Sequence, residues 1–267
     1  MKNVLFLLLQ FVKFIYKSNN RHGLHSPYVY KINDEILPDV GDYYAFNRIE
    51  DRRKMLLSNA QKIKVTDYGA GSHKNNDAYR SINIITKNTS KSPKIGRLLF
   101  RLVNYFQPLT VLELGTSTGI STAYIAAAKS DNKIISIEGC ENISRVAIEN
   151  LAALGLDNVE VLQGHFNEKL PVALDKLEKI DFVFIDGHHN YLPTIDYYNQ
   201  IKLHLNAASV VVLDDIHWSS EMLQAWNELR ALPEVSYSID LFDIGLLLYR
   251  PSVKKEHFVL RYDGFFF

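Results

Sequence analysis

Two turns in this 267-residue chain carry the residue types of an anion or nucleotide loop. One is "VTDYGAGSHKNN", residues 65–76, and the other is "VLELGTSTGIST", residues 111–122. A strand-to-helix glycine turn points backbone N–H groups at its ligand, and its glycines admit the ligand without Cβ collisions. A nucleoside ligand also needs an acid at the end of the next strand, about 20 residues on, to accept from the ribose hydroxyls. The second turn has one, because the run "KIISIEG" after it ends in Glu138. The first has none: no helical pattern follows its glycines directly, and no acid closes "INII", read as the next extended run. Cofactor binding is therefore assigned to residues 111–122. Residues 67–73, from Asp67 to His73, are read as a turn, with part of a lid over an acceptor pocket as the functional alternative.

Acids and histidines also gather where apolar runs end. Asp186 closes the strand of "DFVFIDGHHNY", and Asp214 and Asp215 close that of "VVVLDDIHW". Ligands of open α/β sheets bind outside the carboxyl ends of the strands, so all three acids are expected to face one crevice. Histidine titrates near neutral pH and can take a proton from a hydroxyl as its oxygen attacks. His189 is the foremost candidate for that task, and His188 and His217 are further ones. Trp218 reads either as an aromatic wall for a substrate or as the cover of a helix start.

The elements that must hold these residues follow from periodicity. "SPKIGRLLFRLVNYFQP" places Ile95, Leu98, Leu99, Leu102, Val103 and Phe106 on one helical stripe between two prolines. From there strands alternate with helices: "TVLEL", "KIISIE", "VEVLQ", "DFVFID" and "SVVVLD" are apolar runs separated by amphipathic segments. Such a pattern predicts a doubly wound α/β domain whose mostly parallel sheet is covered on both faces. "VSYSIDLF" and "IGLLLYR" are joined by too short a link for a crossover, so they form a hairpin. Seven strands are expected, the last antiparallel. Residues 1–91 read as a helical cap and 92–267 as the main domain.

Bulk composition narrows the function classes. Thirty basic and thirty acidic residues cancel, which argues against a nucleic-acid partner. The single Cys140 fits a reducing compartment, hence a cytoplasmic location. The N-terminal stretch "MKNVLFLLLQFVKFIYKSNNR" is apolar and basic, and Gln10 and Lys13 interrupt it before it reaches the roughly 20 residues needed to span a bilayer. It is expected as a helix packed on the body of the protein or on a second subunit of a homodimer, with contact to a membrane surface as the alternative.

"VLELGTSTGIST", "IISIEG", "DFVFIDGHHNY" and "VVVLDDIHW" stand in the order and spacing of the class I S-adenosylmethionine-dependent methyltransferases. The chain most resembles their catechol and caffeoyl-CoA O-methyltransferase-like branch and its bacterial relatives, over residues 92–251. The resemblance implies that Glu113, Gly115, Ser117, Gly119 and Ser121 cradle the methionine part of the cofactor, that Glu138 holds the ribose, and that Gly164 and His165 contact the adenine. Asp186 would serve both the cofactor and catalysis. The branch binds a divalent cation through two aspartates and an asparagine; here Asp186, Asp214 and Asp215 occupy those positions, an oxygen set that suits magnesium, manganese or calcium. Where the branch has a lysine three residues after the first aspartate, this chain has His189. The implied reaction is methyl transfer to a hydroxyl of a small molecule, with Asp186, His189 and His217 as catalytic candidates. An NAD(P)-dependent oxidoreductase and a catalytically silent cofactor-binding scaffold are the alternatives.

Overall fold

The computed structural model describes residues 2–19, 24–38, 41–66, 78–251 and 253–261. The turn expected at residues 67–73 lies outside the described residues. In chain order the elements are helices α1 (Lys2–Lys17), α2 (Pro27–Glu35) and α3 (Tyr44–Ser58), strands β1 (Lys62–Lys64) and β2 (Tyr79–Ser81), and helices α4 (Ile82–Thr89) and α5 (Pro93–Phe106). Strands and helices then alternate as β3 (Thr110–Leu114), α6 (Ile120–Ala127), β4 (Lys133–Glu138), α7 (Glu141–Leu154), β5 (Val159–Gln163), α8 (Phe166–Leu177), β6 (Ile180–Ile185), α9 (Tyr191–Ile201), β7 (Leu205–Asp214) and α10 (Ser220–Leu229). Strands β8 (Tyr237–Asp240), β9 (Ile244–Leu248) and β10 (Glu256–Val259) follow.

The chain makes two compact units, Met1–Pro38 with Lys179–Phe267, and Asp39–Glu178. In the second unit β3, β4 and β5 are parallel and adjacent in that order, which brings Glu113 opposite Ser136. Helix α5 starts where expected: Ser92 caps it by accepting from the Ile95 N–H, Pro93 follows at the first turn, and Ile95, Leu98, Leu99, Leu102 and Val103 are buried. Each such apolar side chain removed from water contributes roughly 1.5–3 kcal/mol. Helix α7 ends at Gly155, whose left-handed φ of +69° lets its N–H return to the last turn. "INII", expected as extended, is instead the first half of α4: Ile82, Ile85 and Thr86 lie three and four apart and are all buried on one face.

In the first unit β6 and β7 are parallel, β9 runs antiparallel to both β7 and β8, and β10 lies parallel to β8. The expected hairpin is β8–β9, and all seven expected strands are present. Strand β10 is an additional one, a four-residue run of which only Phe258 is buried, so it shows no apolar period to detect. All five residues of β9 are buried, as a strand covered on both faces requires.

Helix α1 packs on the first unit by one side only. Phe14 and Gln10 are buried, while Val4, Leu5, Leu8, Leu9, Val12 and Tyr16 are exposed. Among the described residues, no helix is long and apolar enough to cross a membrane.

Candidate functional site

In the second unit, β3 delivers the chain into a loop whose Gly115, Ser117 and Gly119 all have positive φ, at 104°, 48° and 81°. Ser117 pays for this geometry with a left-handed backbone that a serine rarely adopts. Gly119 is required twice over: besides its φ, an added Cβ would stand 3.3 Å from Ala147 Cα and Cβ of α7. Helix α6 begins directly after, so its first-turn N–H groups lie at the end of the loop.

Glu138, at the end of β4, secures this loop. Its Oε2 accepts from the Ser117 N–H at 2.8 Å and its Oε1 from the Cys140 N–H at 2.9 Å. Glu113 sits behind the loop, fully buried, and its Oε2 accepts from the Thr122 and Ser136 hydroxyls at 2.6 Å each. It therefore organises the turn from inside. Further supports come from residues the sequence did not single out. The Thr89 and Ser117 hydroxyls are hydrogen-bonded, Ser90 meets Thr118 at 3.2 Å, and Asn150 Nδ2 donates to the Thr118 carbonyl at 2.7 Å. Thr89, Ser90 and Asn150 come from parts of the chain distant from the loop and carry no local signal. Gly164, with φ of +141°, donates its N–H to the Glu138 carbonyl, and His165 caps α8 through Nδ1. Gln163, Gly164, His165, Glu168 and Lys169 line an open recess there.

In the first unit, Asp186 follows β6, Asp214 ends β7 and Asp215 follows it. His189 Nε2 lies 3.5 Å from Asp186 Oδ1, and its Nδ1 lies 3.7 Å from Asp215 Oδ2. Asp186, His189 and Asp214 each offer one ligand atom, and these atoms all fall within 4.8 Å of one another. Asp215 is not in that group; it flanks the imidazole instead. The loop is bent to achieve this, since His188, His189 and Asp215 have φ of 62°, 42° and 54°. Left-handed backbone at non-glycine residues costs about 1–3 kcal/mol apiece and gathers at functional sites. His188 Nδ1 is 2.6 Å from the Tyr197 hydroxyl. Burial pushes the Tyr197 phenol up to about 12, so it keeps its proton at neutral pH.

His217 is not part of this group. Its Nε2 lies 2.8 Å from Asp240 Oδ2, its ring stacks on Phe242 at 5.0 Å, and it is 8% exposed. Trp218 is 54% exposed, ahead of α10.

A family model described as a methyltransferase domain matches residues 112–216. Those residues carry a methyltransferase domain. The match takes in the glycine loop, Glu138, Asp186, His189, Asp214 and Asp215. Among curated proteins, an O-methyltransferase of Aspergillus flavus is 35% identical over 42% of this chain and 47% of its own length. The catechol O-methyltransferase of Niastella koreensis is 30% identical over 47% of this chain and 57% of its own. The chain thus spans about half the length of these relatives. Among solved structures, the O-methyltransferase TomG of Streptomyces achromogenes, in complex with S-adenosylmethionine, superposes with a TM-score of 0.57 at 19% identity, covering 79% of this chain and 92% of that one. The O-methyltransferase of Bacillus cereus, in complex with S-adenosylhomocysteine, gives 0.55 at 17% identity over 82% and 96%. These superpositions establish that the methyltransferase domain has the expected fold. The named relatives are all O-methyltransferases, which leaves the oxidoreductase and silent-scaffold alternatives without support.

Proposed function

We propose that the chain transfers the methyl group of S-adenosylmethionine to a hydroxyl oxygen of a small molecule. The observation that carries this reading is the Glu138 carboxylate fixed beside a glycine loop that opens directly into the N-terminus of α6. Such a terminus attracts the cofactor's carboxylate through its N–H groups and its dipole, with the Ser121 hydroxyl alongside. Gly115, Ser117 and Gly119 shape the cradle, Glu113 braces it, and Glu138 accepts from the ribose hydroxyls. Gly164 and His165 flank the adenine.

In the reaction the acceptor oxygen attacks the methyl carbon in line with the departing sulfur. The carbon–oxygen bond forms as the carbon–sulfur bond breaks, leaving S-adenosylhomocysteine and a methyl ether. His189 takes the hydroxyl proton, and Asp186 and Asp215 orient its imidazole and balance the positive charge it acquires. Most of the rate comes from holding the two reactants in attack geometry.

One observation favours a second reading of the same cluster: the atoms of Asp186, His189 and Asp214 converge closely enough to share one divalent cation. Two carboxylates and an imidazole suit manganese or another first-row ion better than an all-oxygen magnesium site. Such a cation would lower the pKa of the acceptor hydroxyl, and the imidazole would then be a ligand instead of the base. The test is a screen of phenolic, sugar and lipid alcohols for S-adenosylhomocysteine release, each run with magnesium, with manganese and with EDTA. Release with none of the alcohols in any condition would refute the proposal.

A further inference from the structure

Helix α1 is apolar on the side that faces solvent. Val4, Leu5, Leu8, Leu9, Val12 and Tyr16 are 51% to 90% exposed. At 100° per residue they gather into a single arc of about 140°. The opposite side is anchored: Phe11 and Phe14 pack against Phe242 with ring centroids 5.2 and 5.3 Å apart. The end of the helix is tied as well, because Asn19 N–H donates to the Val259 carbonyl at 2.8 Å and Arg261 Nη2 to the Ile15 carbonyl at 2.7 Å. The outward face is therefore a fixed surface, and a continuous stripe of large apolar side chains marks an interaction site where scattered single ones do not.

Charge identifies the occupant. Lys13 and Lys17 are exposed and border the apolar arc on one side, and no acidic residue precedes Asp34 in the sequence. A second copy meeting this face about a two-fold axis would bring the same lysines and no carboxylate from the helix to match them. A bilayer with anionic headgroups satisfies both features. Its acyl region receives the apolar arc to a depth of about 5–10 Å, and its phosphates lie at the level the lysine ammonium groups reach by extending along the surface. With 16 residues the helix is shorter than the roughly 20 that span a bilayer, so it lies in the plane of the interface. We infer that α1 is an interfacial helix that docks this protein on an anionic lipid surface, with Val4, Leu5, Leu8, Leu9 and Val12 inserted and Lys13 and Lys17 at the headgroups. This inference stands apart from the catalytic reading.

The full chain is to be floated on a density gradient with phosphatidylcholine vesicles, with and without phosphatidylglycerol, and its mass measured by light scattering without vesicles. The wild type should float with the phosphatidylglycerol vesicles and lose that binding in high salt. Leu8→Asp with Val12→Asp should abolish flotation. Lys13→Glu with Lys17→Glu should lower partitioning by at least about twentyfold, roughly fivefold per lysine. All four positions are exposed, so both double variants should melt at the wild-type temperature. Failure of the wild type to float, flotation that survives Leu8→Asp with Val12→Asp, or a solution dimer that this variant dissociates would each overturn the inference.

Discussion

His189 stands between two carboxylates, with Nε2 3.5 Å from Asp186 Oδ1 and Nδ1 3.7 Å from Asp215 Oδ2. The two carboxylates hold the imidazole in place, which fits a base that works during methyl transfer. His189→Gln should therefore lower kcat about 100-fold or more while the affinity for S-adenosylhomocysteine stays within about twofold. Wild-type turnover in this variant would remove His189 from the mechanism.

The convergence of Asp186, His189 and Asp214 leads to a separate expectation. If the cluster holds a cation, EDTA should depress turnover and manganese should restore it more fully than magnesium, because one ligand is an imidazole. Asp214→Ala should then weaken manganese binding, read by calorimetry on the wild type and the variant. Full activity in EDTA would assign His189 to proton transfer alone.

Gly119 and Gly155 both have positive φ, yet only Gly119 meets a neighbour where its Cβ would be. Gly155→Ala should destabilise by about 1 kcal/mol through its backbone alone. Gly119→Ala should destabilise by roughly 1–3 kcal/mol, since α6 must also shift from Ala147. Urea midpoints of the two variants measure the difference, and equal losses would show that the α6–α7 contact yields freely.

His257 supplies a pH dependence. Desolvation where His257 packs beside β8, and next the Arg230 guanidinium, push its pKa down to about 4 from the ordinary 6.5. Between those values the unfolded chain binds a proton that the folded chain does not, so stability is full above 6.5 and falls as the pH drops toward 4. The His257 side chain is nonetheless exposed to solvent, which makes the loss smaller than the shift alone implies. The melting temperature should decline over this window, and His257→Gln should flatten the decline. An identical slope in the variant would contradict the assignment.

The alternation of apolar strands with amphipathic helices is a local property, and α5 to β9 follow it closely. The loop from Glu113 to Ser121 and the acid at Glu138 were equally legible, because strand, turn and acid recur at a fixed spacing along the chain. Pairings made through space were not. His217 reads from its position beside Asp214 and Asp215 as a companion of theirs, yet its partner is Asp240, 23 residues away on β8. Thr89 and Ser90, at the end of α4, and Asn150 of α7 grip the glycine loop, and none belongs to a motif. Helix α1 shows the same limit. Gln10 is buried while Leu5, Leu8 and Leu9 face solvent, an arrangement set by Phe11 and Phe14 packing on Phe242.

The central claim is that residues 111–138 hold S-adenosylmethionine through the loop and Glu138. Calorimetry with S-adenosylhomocysteine on the wild type and on Glu138→Ala tests it most directly, with NADH as the competing ligand. The wild type should bind one equivalent of S-adenosylhomocysteine and give no heat with NADH, and Glu138→Ala should bind about 10- to 100-fold more weakly, a loss of about 1.5–3 kcal/mol for hydrogen bonds to a charged group. A wild type that binds NADH instead, or a Glu138→Ala variant with unchanged affinity, would contradict it.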